Sequence, residues 1–158
     1  KAYLINHLLD SFKGTLFRQS MLEEFEIESN RMSETGVPIT ADTLSELYLR
    51  LNKEYYGSAM VSDPLIGEEW SRVPHMYMNF YCYQYATSFA ASVAVAKRIL
   101  TEGEPALKDY IRFLSAGCTD DPVSVLKIAG VDLSTEKPVE DAMKYFDELL
   151  TQLEELAE

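Results

Sequence analysis

Apolar side chains recur at helical spacing along most of this chain of 158 residues. Leu4, Leu8, Phe12, Leu16, Met21 and Phe25 trace one face of a run from residue 2 to about residue 35, with Gly14 a mild weakness inside it. Gly36-Val37-Pro38 stops that run, because proline disfavours helical geometry in the residue before it. Thr40 or Asp42 is placed to cap a second helix, which carries Leu44, Leu47, Tyr48 and Leu51 on one side and ends at Gly57. After a connector from Ser58 to Asp63, Pro64 suits the first turn of a short helix through Trp70. From Met76 to Leu100 the chain is apolar almost all round, which predicts a helix buried on several sides and ended by Gly103-Glu104-Pro105. Ala106–Leu114 forms a further helix stopped near Gly117, and Asp121-Pro122 caps and opens another over Val123–Ala129. Pro138 begins the last, with Val139, Ala142, Met143, Phe146, Leu149, Leu150, Leu153 and Leu156 along one stripe. No strand-like alternation, internal repeat or interdomain linker interrupts the series. The prediction is an all-α fold: a single multi-helix domain over residues 1–158 with a buried central helix.

Composition narrows the partners. A net charge of −12 argues against nucleic acid, whose phosphates call for basic patches. Much of that charge sits on solvated helix surface, as at Glu148, Glu154 and Glu155. The uncharged run from Met76 to Ala96 is long enough to span a bilayer, at about 20 residues. Asn79, Gln84, Thr87, Ser88 and Ser92 are spread along it, however, which suits a helix inside a protein and not one facing lipid. Cys82 and Cys118 are expected as free thiols of a cytoplasmic protein, following the way cysteine use tracks compartment.

The chemistry concentrates in His75–Ser88. One histidine is followed by Tyr77, Tyr81, Tyr83 and Tyr85 in a stretch without charge. On a helix, Tyr81 and Tyr85 share a face, Tyr77 lies one turn earlier, and Tyr83 falls about 200° away. Such phenols are either core aromatics whose hydroxyls find local partners or the lining of a site that needs neutral donors. His75, after Val73-Pro74, is either a helix-entry residue bonding locally or a hydrogen-bond donor to a substrate. His7 reads as a surface or packing residue. Glu23, Glu24, Glu26 and Glu28 spread around their helix and read as a solvated face, and Asp120-Asp121 as a capping pair. Neither cysteine has a histidine partner in a catalytic arrangement, and there is no glycine-rich phosphate loop or GxSxG elbow.

His75-Met76-Tyr77 followed by Phe80-Tyr81-Cys82-Tyr83-Gln84-Tyr85-Ala86-Thr87 resembles the oligoendopeptidase F group of the thimet-oligopeptidase-like zinc metallopeptidases. Leu9-Asp10-Ser11-Phe12-Lys13-Gly14-Thr15-Leu16-Phe17-Arg18-Gln19, Phe25-Glu26 and Leu51-Asn52-Lys53-Glu54-Tyr55-Tyr56-Gly57 look like further parts of the same pattern, so the likeness spans nearly the whole chain. It implies a zinc-dependent enzyme that cuts internal bonds of short peptides. The group binds zinc through an HExxH helix and a later glutamate, yet the only histidines here are His7 and His75. The chain also opens at Lys1, inside a helical pattern. The expectation is therefore a C-terminal piece of a larger peptidase, inert alone, with the zinc ligands upstream and no metal ligand of its own. The resemblance assigns His75, Tyr81 and Tyr85 as catalytic donors around the scissile carbonyl, and Tyr77 and Tyr83 as substrate-binding residues. The missing N-terminal part of the same protein becomes a partner, and apolar surface left exposed without it predicts self-association. A non-enzymatic helical interaction module, with its tyrosines packed or facing a partner helix, is the rival reading.

Overall fold

The computed structural model describes residues 1–157, and among them every regular element is helical. Helix α1 (Ala2–Ser11) leads through a π-helical turn (Phe12–Phe17) into α2 (Arg18–Glu34). Helix α3 (Ala41–Tyr56) is followed by two 3₁₀ segments, Pro64–Arg72 and Pro74–Tyr77. Helices α4 (Tyr83–Glu102), α5 (Glu104–Ala116), α6 (Pro122–Lys127) and α7 (Lys137–Ala157) complete the chain. Local chemistry sets most of these ends. Thr40 and Thr43 make a reciprocal capping box at the start of α3, Gly57 at φ 71° ends it, and the Asp121 carboxylate accepts from Val123 and Ser124 at the start of α6.

Two compact units result, and the chain passes between them twice. One comprises Lys13–Ala86. Its core joins Met21, Leu22 and Phe25 of α2 to Leu47, Tyr48 and Leu51 of α3, with Val73 and Cys82 closing the cluster. The Phe25 ring meets Tyr48 edge-on at 5.4 Å and stacks near Trp70 at 6.3 Å, while the Trp70 indole donates to Ser45. Gly67 lets the Pro64–Arg72 segment close onto α3, since a Cβ there would lie 3.0 Å from the Ser45 carbonyl oxygen.

Lys1–Phe12 and the residues from Thr87 onward form the other unit. Phe12 is fully buried, with the Phe89 ring edge-on at 4.9 Å and Phe146 of α7 at 5.3 Å. Ala91 and Val95 of α4 pack with Ala129 and Val131 beyond α6. Arg98 donates to the Ala129 carbonyl at 2.6 Å, over Gly130, which sits at φ 77°. A side chain on Gly130 would meet both a left-handed backbone and the Arg98 guanidinium. Gly130→Ala should therefore lower the stability of this unit by about 2 kcal/mol, read as an earlier midpoint in urea unfolding; an unshifted midpoint would refute the account.

The structure corrects three details of the pattern. Leu4 and Leu8 are exposed while Ile5 and Phe12 are buried, because the π-helical turn shifts the phase of the apolar stripe upstream of it. Helix α4 begins at Tyr83, not near Met76, and it buries one stripe (Ala86, Ala90, Ala91, Val95) while Ser88, Ser92, Ala96 and Leu100 are exposed. On α7, Ala142 and Leu149 are buried, whereas Val139, Leu150 and Leu156 face out. Among the described residues no helix is long and apolar enough to cross a membrane, and both cysteines are free thiols.

Candidate active site

The segment that carries the tyrosines is fixed at both ends by the core. Val73 is buried before Pro74 opens the second 3₁₀ segment, and Cys82 is fully buried after it. Between them the chain turns through Asn79 at φ 55° and Phe80 at φ 58°, two consecutive left-handed residues that are not glycine. Helix α2 holds that turn. The Phe80 N–H donates to Glu26 Oε1 at 2.6 Å, and the Tyr83 N–H to Glu23 Oε2 at 3.0 Å. The first amides of α4 have no partner inside their own helix, and a carboxylate there also suits the helix dipole. Glu23 thus serves α4 as a cap contributed from α2. Burial, with the charge of Glu26 beside it, raises the Glu23 carboxyl above its usual range despite that bond. The same two carboxylates, after burial itself, push the Cys82 thiol up to about 11, so it stays an unreactive packed thiol.

This turn brings His75, Tyr81 and Tyr85 together. The His75 and Tyr81 rings stack with centroids 5.5 Å apart and planes 8° apart. Tyr85 meets both edge-on, at 5.8 Å from His75 and 5.5 Å from Tyr81. Its hydroxyl lies 3.4 Å from His75 Nε2, a contact whose donor depends on the imidazole tautomer. All three side chains are half-buried. The Tyr81 hydroxyl, and after it desolvation, holds the Tyr85 phenol above its ordinary value, so it remains protonated at neutral pH and available as a donor. Two neutral O–H groups beside an imidazole can donate to an oxygen on which negative charge develops.

Three of the five tyrosine and histidine candidates therefore converge, but not by the helical route. Tyr81 lies in the turn before α4, so its proximity to Tyr85 comes from the turn and not from a shared helix face. Tyr77 does not join them: it is 70% exposed and borders a separate cavity of about 280 Å³ with Phe25, Ile39 and Trp70. Tyr83 is half-exposed, with its backbone amide on Glu23. Cys82 belongs to the turn too, and not to a helix.

The glutamates of α2 are a second correction. They are not a solvated face: Glu26 is 7% exposed, Glu23 and Glu26 hold the turn, and Glu24 accepts the Tyr55 hydroxyl at 2.7 Å. Their spacing held the signal, because Glu23 and Glu26 flank the apolar positions Leu22 and Phe25 that face the core. Also absent from the sequence reading was the buried Glu69, which Arg18, Arg72 and Tyr48 all engage. Among the described residues no three His, Cys, Asp or Glu side chains converge to hold a metal ion, so the residues present do not fit a zinc site.

An all-helical chain that presents this His-Tyr-Tyr cluster can be set beside known proteins. Residues 1–145 match the sequence profile of Peptidase family M3, and the chain belongs to that family. Among its relatives is the oligopeptidase PepF of Bacillus subtilis (strain 168), 48% identical over 156 residues, which cover 99% of this chain and 23% of that protein. The plasmid-encoded oligoendopeptidase F of Lactococcus lactis subsp. cremoris is 39% identical over 155 residues, 98% of this chain and 26% of the relative. The crystal structure of oligoendopeptidase-F from Enterococcus faecium superposes with a TM-score of 0.94 at 49% identity, over 99% of this chain and 30% of that one. The chain spans about a quarter of the length of these curated relatives.

Proposed function

We propose that this chain is the C-terminal portion of a zinc-dependent oligoendopeptidase that hydrolyses internal bonds of short peptides, and that it supplies the donors around the scissile carbonyl. The observation that carries the reading is the convergence of His75, Tyr81 and Tyr85 within a chain of Peptidase family M3. When the carbonyl becomes tetrahedral its oxygen gains charge, and a positioned phenol can stabilise that charge without bringing a formal charge into the site. His75 orients the Tyr85 hydroxyl through Nε2, or donates itself in the other tautomer. Tyr77 and Tyr83, both exposed, are left to bind the peptide away from the reacting bond. Zinc and its ligands belong in the part of the protein outside this chain. That remainder is also the partner for apolar side chains exposed here, such as Leu107, Ile111 and Leu114 along α5, through which the isolated chain would self-associate.

The test is His75→Ala in the full-length protein, assayed on an internally quenched peptide with metal content measured in parallel. Turnover should fall about 10²-fold, with zinc content unchanged. Unaltered turnover would remove His75 from the site; loss of zinc would make it a ligand and overturn the assignment of the metal to the missing part.

A further inference from the structure

We propose that Glu23 and Glu26 are positioning residues for the tyrosine donors: from one face of α2 they clamp the 79–83 turn and so hold Tyr81 and Tyr85 against His75. The inference rests on the function proposed above and assigns the groups that set its geometry.

The two carboxylates are three residues apart, which places them on the same side of the helix. They accept the amides of Phe80 and Tyr83, on either side of Tyr81. Tyr85 follows two residues after the second of these bonds, in the first turn of α4. Local preference alone does not favour this shape: Asn79 tolerates the left-handed region it occupies, but the bulky Phe80 beside it sits there too. The clamp supplies what the local sequence does not.

The manner of its construction argues against a purely structural role. Glu26 is buried, and while its Oε1 accepts from Phe80, its Oε2 is buried without a hydrogen bond among the described residues. An unsatisfied carboxylate oxygen in the interior disfavours the fold, and a second carboxylate beside it adds repulsion. An apolar side chain would pack more favourably at position 26. What it could not do is fix the Phe80 amide, and through it the path of the chain to Tyr81. Costly polar groups of this kind gather where geometry serves a site.

The experiment is a double-mutant cycle in the full-length enzyme, with Glu26→Leu, Glu26→Gln and Tyr81→Phe. Glu26→Leu should lower kcat roughly 10- to 100-fold, the scale expected when a donor is displaced by about an ångström, with KM changed less than about threefold. Glu26→Gln keeps an acceptor for Phe80 and should restore most of the loss. In the Tyr81→Phe background Glu26→Leu should cost several-fold less than in the parent, because one of the two hydroxyls it positions is already gone. Equal fold losses in both backgrounds would mean general damage and would overturn the proposal, as would full kcat for Glu26→Leu. Should Glu26→Leu fail to fold, Glu23→Ala, at a half-buried position, is read by the same cycle. A crystal structure of the variant supplies a readout independent of activity: the His75–Tyr81 stack should be lost, and its retention overturns the clamp. If Tyr81→Phe and Tyr85→Phe are both fully active, the functional reading falls, while the crystallographic result still judges the clamp.

Discussion

Under the function proposed above, Tyr81→Phe or Tyr85→Phe in the full-length protein should lower kcat by a factor of roughly 10² to 10³, with KM little changed. That is the effect of losing one preorganised donor to a developing oxyanion, about 2.7–4 kcal/mol of transition-state stabilisation. Each ring stays packed edge-on or stacked against the other two after the hydroxyl is removed, so the melting temperature should hold close to that of the parent protein. The double variant should cost less than the product of the two single losses, because the hydroxyls act on one another. Tyr83→Phe behaves differently under the same reading: half-exposed and assigned to substrate binding, it should raise KM and leave kcat nearly intact. Full kcat in both Tyr81→Phe and Tyr85→Phe would make these tyrosines packing residues, whatever the family. A collapse in Tyr83→Phe alone would move the donor face to that side of α4.

What the sequence showed and what it hid divide along a physical line. Boundaries written in local chemistry were legible: Thr40 and Gly57 around α3, Pro64 at its 3₁₀ segment, Asp121-Pro122 at α6. Each needs only the residue and its near neighbours. The turn at 78–82 is different, because no glycine or proline marks it and the run from Met76 onward keeps an apolar, helix-like pattern. It exists because carboxylates 54 and 60 residues earlier in the chain accept its amides. Asn79 was the one local hint, asparagine being among the few side chains that tolerate left-handed backbone. Helical spacing grouped Tyr81 with Tyr85, and the family pattern added His75, but a long-range turn is what brings the three rings into contact. Tyr77, assigned one helical turn away, sits apart because the helix that would have carried it there does not form.

Glu69 should prove the most consequential charged residue for stability, and its effect should depend on pH in a determined direction. Its carboxylate, 7% exposed, joins three elements of the Lys13–Ala86 unit: Arg18 of α2 at 3.0 Å, the Tyr48 hydroxyl of α3 at 2.8 Å, and Arg72 of its own 3₁₀ segment. Glu69→Gln keeps size and one acceptor but leaves the Arg18 guanidinium, only 30% exposed, facing a neutral amide. The expected loss is about 3 kcal/mol, at the lower end for breaking a buried pair because Arg72 is largely in water. Burial alone would raise the Glu69 carboxyl, but the hydrogen bonds from Arg18 and Tyr48, with the charges of Arg18 and Arg72, together bring it below the ordinary value of about 4.5. A depressed folded-state value means that the stabilisation is fully present above that ordinary value and is lost as pH falls through the lower, folded one. Glu23 works in the opposite sense: its carboxyl is raised, so its protonation on acidification favours the fold. The parent protein's stability therefore mixes two opposing trends, whereas the difference between parent and Glu69→Gln isolates one. Measured by denaturant unfolding, that difference should hold steady from pH 7 down to about 4.5 and shrink below it as the parent carboxylate takes up its proton. A difference that stays constant through the acid range would show that Glu69 contributes by packing, and that its charge does not hold the three elements together.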